Sequence, residues 1–499
     1  MVPARARLAV IACVALAAAA CGTTVQGAGT LADSSGLGAP APTDTSATPT
    51  AGTPLGTASG QSVGTTTGGL SGATGSTGST VGGSTGTDIG TGGTTGTTGG
   101  VVAKADRTPI KIGALYLDGG NAVLAAGFAA TPVNFGDGQL EAKAVVADIN
   151  AHGGVGGRPI QLFLQKIAAT DTGKPAAFDA ACTALAEDQH VFAIMSIFNL
   201  RTSLAACAAK HKTLLLDAAL GAEDDAGYRQ YGDWAFTPSE MSLDTEQKLV
   251  IHNAFATGVI SPKTRVGVIV QNDDDIFPRV LKNTIEPTLK ALGVPFESVI
   301  ISNATDSSGI SNAILKFSQD NVSVVQFSAG NGGVPEVVFM QAADQQQFHP
   351  TYIMGDSTNT WFTGDSAPEG QAAKITGVGS YPIANVDANQ VPSTPGEKHC
   401  LDVISKAGES VTDRHTSLTA TFYCEMLYGF AAAGARVQGP MTSADWRSAY
   451  RGLGTTYPTI MSFAVDVQRS PNAGAQVYRS LAWNAACTCV AYTSGLKHL

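Results

Sequence analysis

The stretch Ile110-Lys111-Ile112-Gly113-Ala114-Leu115-Tyr116-Leu117, running into Asp118-Gly119-Gly120-Asn121, decides the fold. A short apolar run closed by a Gly-rich cluster reads as a buried strand that ends in a loop. A helix is predicted next, from about Gln139 to Asn150, stopped by His152-Gly153-Gly154-Val155-Gly156-Gly157. Pro159 to Lys166 then reads as a second strand. Phe178, Cys182 and Leu185 share one helical face, Val191 to Met195 is a strand, Leu200, Leu204 and Cys207 line a helix, and Leu214 to Leu216 is a strand. This alternation predicts a parallel, doubly wound sheet with helices on both faces.

The pattern then restarts. Arg265 to Val270 is a strand closing on Gln271-Asn272-Asp273-Asp274-Asp275, and Ile276, Val280, Leu281, Ile285, Leu289 and Leu292 keep helical spacing up to Gly293. Strands near 297–301, 322–327 and 351–354 alternate with helices near 309–318 and 334–345. Three more helices, near 395–407, 416–434 and 442–452, precede short strands ending at Tyr492. The fold class is therefore α/β, with two Rossmann-like lobes. The expected boundaries are 108–238 for the first lobe, 239–357 for the second, 358–458 for a return to the first, and 459–499 for strands of the second lobe or hinge.

Ahead of this region the composition changes. Of the 40 residues from 61 to 100, 33 are Gly, Thr or Ser, which bury nothing and predict a disordered tether over 21–107. About 80 such residues have an r.m.s. span of roughly 50 Å. Arg5 and Arg7 precede the apolar run Leu8 to Ala20, the charged and apolar parts of an export signal over 1–20. The run ends in Ala18-Ala19-Ala20-Cys21-Gly22, which resembles the lipobox of bacterial lipoproteins and implies a lipid on Cys21. No later segment holds 18 continuous apolar residues, so the lipid is the expected membrane anchor, with an extracytoplasmic location. A net charge of −10 argues against a nucleic-acid partner.

In the folded region the residues resemble the type I periplasmic binding proteins of the leucine/isoleucine/valine-binding kind, the solute receptors of ABC importers. The likeness rests on Ile110-Lys111-Ile112-Gly113, on Ile149-Asn150-Ala151 through Arg158-Pro159-Ile160, on the Asp-rich turn with its helix to Gly293, and on Thr421-Phe422-Tyr423-Cys424-Glu425 through Ala433-Gly434. The resemblance implies lobes joined by crossover hinge strands, an ABC permease as partner and a small-molecule ligand held between the lobes by hinge closure. The family's usual hydroxyl-rich loops, which hold an amino acid carboxylate, are replaced here by Met195-Ser196-Ile197-Phe198-Asn199 and Leu216-Asp217-Ala218-Ala219-Leu220. An α-amino acid ligand does not follow automatically.

Other chemistries find little support. Gly153 to Gly157 follows a helix and precedes a strand, the reverse of a dinucleotide-binding loop. The eight histidines form no HxH or HxxxH pair, and no CxxC, Walker A or folded-region GxSxG occurs, so no metal, cofactor or enzyme activity is expected. Export and an even count predict three disulfides among the six late cysteines, which also resemble an actinobacterial branch of the family. Cys182 with Cys207 and Cys400 with Cys424 each lie on successive helices, which leaves Cys487 with Cys489.

Ligand groups are expected at the carboxyl ends of the parallel strands. From the first lobe these are Asp118, Asn121, Ser196, Phe198, Asn199 and Asp217. The second lobe offers Asn272, Asp274, Phe277, Asn331, Asp356 and Ser357. Acids outnumber bases in this set, so an amine-bearing or hydroxyl-bearing ligand is expected, with Phe198 and Phe277 to stack on it. The reading is a monomeric, lipid-anchored solute-binding protein that binds an amino-acid-like or amine- or hydroxyl-bearing molecule. A tethered sensor or cell-wall interaction protein of the same fold is the alternative, ahead of a secreted enzyme.

Overall fold

The structure is a computed structural model and describes residues 107–122, 134–198, 201–218, 221, 223–330, 332–381, 393–412, 414, 416–417 and 419–499. The export signal, Cys21, the tether, Asn199 and Asn331 lie outside the described residues.

The opening stretch forms β1 (Ile110–Asp118), paired in parallel with β2 (Ile160–Ala168) from Ile110 opposite Ile160 to Asp118 opposite Ala168. Between them runs α1 (Gly138–Ala151), where the Asp137 carboxylate accepts from the amides of Gln139 and Leu140. The glycines beyond α1 are required by the turn: Gly154 has φ +71°, and a Cβ there would meet the Arg158 carbonyl oxygen. The sheet continues through β3 (Ala193–Ser196), β4 (Leu214–Asp217) and β5 (Ala235–Phe236), all parallel, in the order β2-β1-β3-β4-β5. Every residue of β3 and β4 is buried, as a sheet covered on both faces demands. The covering helices include α2 (Pro175–Thr183), α3 (Thr202–His211) and α4 (Asp225–Tyr231).

After α5 (Leu243–Ala256) a second sheet is built from β6 (Val266–Gln271), β7 (Phe296–Ile301), β8 (Val324–Ser328), β9 (Thr351–Met354) and β10 (Ile375–Gly379), again parallel. Its helices are α6 (Ile276–Val280), α7 (Glu286–Ala291), α8 (Ser307–Gln319), α9 (Val334–Gln345), α10 (Thr360–Ser366) and α11 (Glu369–Ala372). The chain then returns to the first lobe as α12 (Pro395–Lys406), α13 (Ala420–Gly434) and α14 (Ser443–Arg451). It ends with β11 (Val477–Asn484), β12 (Cys489–Tyr492) and β13 (Lys497–His498), which complete the order β12-β11-β10-β9-β8-β6-β7 with β13 on β11.

The return falls later than the expected boundary at 358. Strand β10 pairs with β9 and keeps residues up to Gly379 in the second sheet. A Gly-containing five-residue strand carries no sequence mark of which sheet it joins; only its register against Tyr352–Met354 decides.

Each lobe has an aromatic core. In the first, Trp446 stacks on Tyr450 and Phe430 at 5.0 and 5.4 Å and meets Phe236 edge-on at 5.6 Å. In the second, Phe339 packs edge-on against Phe327 and Tyr352 at 5.5 and 6.3 Å. Among the described residues three disulfides are present: Cys182–Cys207 joins α2 to α3, Cys400–Cys424 joins α12 to α13, and Cys487–Cys489 closes the β11–β12 hairpin, with Cα separations of 6.3, 5.9 and 5.2 Å.

Candidate functional site

Both sheets turn the carboxyl ends of their parallel strands toward a shared cleft of about 570 Å³, a size usual for a small-molecule site. The first lobe contributes Leu117 near the end of β1, Ala169, Thr170 and Thr172 to Lys174 after β2, and Ile197 and Phe198 after β3, with Phe135, Arg201, Thr419 and Phe422. Facing them from the second lobe are Asp273 after β6, Asn303 to Thr305 after β7, Gly332 and Val334 after β8, and Asn359 and Phe362 after β9. The placement follows from the fold: side chains from many strand ends converge where the two open sheets meet.

A family model described as "Periplasmic binding protein" matches residues 109–486. The chain belongs to this family. None of the curated proteins compared matches it in sequence. Solved binding proteins resemble it in fold at low identity. The Streptococcus pneumoniae branched-chain amino acid binding protein LivJ, in complex with isoleucine, has a TM-score of 0.55 at 15% identity, covering 78% of this chain and 99% of its own. A Thermus thermophilus branched-chain amino acid transporter protein with bound valine gives 0.57 at 14%, covering 79% and 97%. An ABC transporter solute-binding protein from R. palustris in complex with 4-hydroxybenzoate gives 0.57 at 15%, covering 78% and 97%.

Within this binding-protein frame, and among the described residues of the expected set, Phe198 lines the cleft. Asn121 acts one step back, its Oδ1 accepting from the Phe135 amide at 2.8 Å and so fixing a wall residue. Ser196 Oγ is closed on its own loop, with Phe198 N at 3.2 Å and Phe198 O at 3.1 Å. Asp118 is exposed and 3.5 Å from Lys166, Asn272 is exposed, and Asp217 is fully buried at the end of β4. Phe277 packs in the second lobe's core rather than in the cleft, where its carbonyl accepts from Ser328 Oγ at 3.0 Å. Asp274 reaches across to the first lobe: its Oδ2 accepts from Thr202 N at 3.1 Å and its Oδ1 from Thr202 Oγ1 at 2.8 Å.

Asp356 and Ser357 turn toward the hinge. Asp356 accepts from Ser380 N and Oγ at 2.7 and 2.6 Å, while the Ser357 amide and hydroxyl donate to Glu246. Burial pushes the Glu246 carboxyl up to about 8, with Asp356 and Glu240 adding to the effect, and pushes Asp356 up to about 7. Glu425 of α13, also raised by burial, ties two inter-lobe segments together: it accepts from Ser239, between β5 and α5, and from Ile460 N and Met461 N, between α14 and β11, the latter at 2.5 and 3.1 Å.

Arg201 escapes the sequence reading, whereas its partner Asp273 belongs to the acidic turn that the sequence marks for a cation or a ligand ammonium. Arg201 lies just ahead of α3 with its side chain 5% exposed, donates to the Thr172 carbonyl at 2.9 Å, and stands 3.5 Å from Asp273 Oδ1. Beside them a second inter-lobe pair forms, Arg279 donating to Asp224 at 2.8 and 3.0 Å with Glu223 at 3.4 Å. Burial, reinforced by Asp224 and Asp274, holds Glu223 well above the carboxylate range. Asp224 is buried too, yet bonds from Arg279 and the Gly227 amide hold it below that range. Among the described residues no group of three or more His, Cys, Asp or Glu side chains is placed to hold a metal ion, and no helix is long and apolar enough to cross a membrane.

Proposed function

We propose that this chain is the extracytoplasmic solute receptor of an ABC importer, held at the membrane by a lipid on Cys21 and acting as a monomer. It closes on an amino-acid-like or amine- or hydroxyl-bearing molecule and presents it to a membrane permease. One observation carries the reading: the cleft draws its walls from both lobes, each built on a sheet of its own. A ligand bridging the two walls stabilises the closed arrangement over any open one. The isoleucine, valine and 4-hydroxybenzoate named for the structural neighbours support a small organic solute.

The test is a thermal-shift screen of the full chain against amino acids, amides, amines, alcohols and aromatic acids, followed by uptake of each hit in cells lacking the protein. A hit whose uptake is lost supports the importer role. A hit whose uptake is unchanged overturns that role and leaves the binding protein. For the anchor, a Cys21→Ala variant is expected in the culture medium; retention at the membrane would contradict it.

A further inference from the structure

A helix that follows a strand of an open α/β sheet aims its first amides at the cleft, and that end is a ready seat for an anion. In this chain α3 occupies such a position, and the first amide of its seat is already taken from within. Arg201, at the helix start, supplies no side-chain cap. The carboxylate of Asp274, from the opposite lobe, takes both the Thr202 amide and the Thr202 hydroxyl, and its Oδ1 also accepts from Ile276 N at 3.1 Å. The nearby hydroxyl of Ser196 is spent on the Phe198 backbone. The Thr202 amide and hydroxyl and the Ser196 hydroxyl are thus not left for a ligand carboxylate.

Two buried polar atoms on the cleft wall stand without a hydrogen-bond partner among the described residues. One is Asp273 Oδ2, an acceptor on a side chain 7% exposed; the other is Asn359 Nδ2, a donor on a residue 1% exposed. Leaving such groups unmet is unfavourable, so a ligand that meets both gains from each. An oxygen facing Asn359 and a hydroxyl or ammonium facing Asp273 satisfy them. Around them the walls are apolar: Phe135, Phe198, Phe362 and Phe422 with Leu117 and Ile197. Arg201 is held by the Thr172 carbonyl and by Asp273, and it balances the Asp273 charge.

We infer that the cleft takes a bulky apolar solute, aromatic or alicyclic, bearing a hydroxyl or amine in place of a free carboxylate. This rests on the cleft being the solute site. Because Asp274 stands in for the ligand's acid, the inference also assigns it a specificity role: it excludes carboxylates by like charge and by occupying their donors.

The test compares matched probes by calorimetry on the full chain: 3-phenylpropanol and phenylalaninol against 3-phenylpropionate and L-phenylalanine. The alcohols are expected to bind at least about ten-fold tighter than the acids, a difference of roughly 1.4 kcal/mol. Asp274→Asn, which removes the charge but keeps an acceptor for Ile276 and Thr202, is expected to tighten 3-phenylpropionate about ten-fold and leave 3-phenylpropanol within about two-fold. Asp273→Asn, which leaves the Asp274 seat intact, is expected to weaken phenylalaninol about ten-fold. Acids binding the wild type as tightly as the alcohols, or no gain for 3-phenylpropionate in Asp274→Asn, overturns the inference while the solute site stands. Failure of all four probes to bind either protein counts against the cleft as a solute site and takes the inference with it.

Discussion

Hinge and cleft lie between the same two lobes and treat their polar groups in opposite ways. At the hinge, Glu425 takes two backbone amides and a serine hydroxyl from the inter-lobe segments, and Asp356 and Glu246 take the amides and hydroxyls of Ser380 and Ser357. At the cleft, Asp273 Oδ2 and Asn359 Nδ2 have no such partner among the described residues. A buried polar group that is fully bonded fixes geometry; one left open on a cavity wall is a contact for a molecule that arrives later. The contrast separates residues that shape the site from residues that meet its ligand, although both kinds are acids between lobes.

The hinge side of the contrast breaks most visibly with pH. Glu246 and, in the first lobe, Glu141 are each pushed by burial from 4.5 to about 8, so the folded chain holds protons there that the unfolded chain has released. The stability that these groups contribute is complete below about pH 4.5 and is lost as pH rises to about 8, a change on the order of 5 kcal/mol for each group. Urea unfolding is expected to give a higher midpoint at pH 5 than at pH 8, with the difference reduced in Glu246→Gln. A midpoint that rises over that range would contradict the buried acids' role. Glu425→Ala strips several donors of their acceptor at once and is expected to lose about 4 kcal/mol in the same assay, whereas Glu425→Gln loses less than half of that.

Much of this architecture was legible in the chain. Alternating apolar runs and glycine stops mark the strands and helices up to Met354, and the three cysteine pairs follow from consecutive helices and a tight hairpin. The strand ends also mark where a cleft forms, because that placement belongs to the topology. What escaped reading depends on contacts across the lobes. Asp274 stands in an acidic loop that looks ligand-facing, and nothing local reveals that Thr202 waits opposite it. Glu246 and Glu425 sit on helices where a glutamate ordinarily faces water; that these face the hinge becomes visible only when both lobes are in place. Phe277 keeps helical spacing with Val280 and Leu281, which was itself the sign of a core position.

Two smaller effects sharpen the comparison. Replacing Cys182 and Cys207 by Ala opens a 25-residue loop and is expected to lower stability by about 3 kcal/mol. The same change at Cys487 and Cys489, two residues apart, is expected to remain below about 1 kcal/mol, since so short a loop restrains little of the unfolded chain. Arg279→Ala removes the inter-lobe pair with Asp224, one partner of which is 31% exposed, and is expected to weaken a cleft ligand by about ten-fold or less, chiefly through faster release. A larger loss of global stability than of ligand residence would place Arg279 with the hinge rather than the cleft.

The central claim is that one solute is gripped by both lobes. Hydrogen exchange of the full chain, with and without the strongest hit of the thermal-shift screen, tests it directly. The account predicts slowed exchange in 169–174 and 197–198 of the first lobe together with 303–305 and 359–362 of the second. Protection confined to one lobe, or appearing away from these segments, would contradict it.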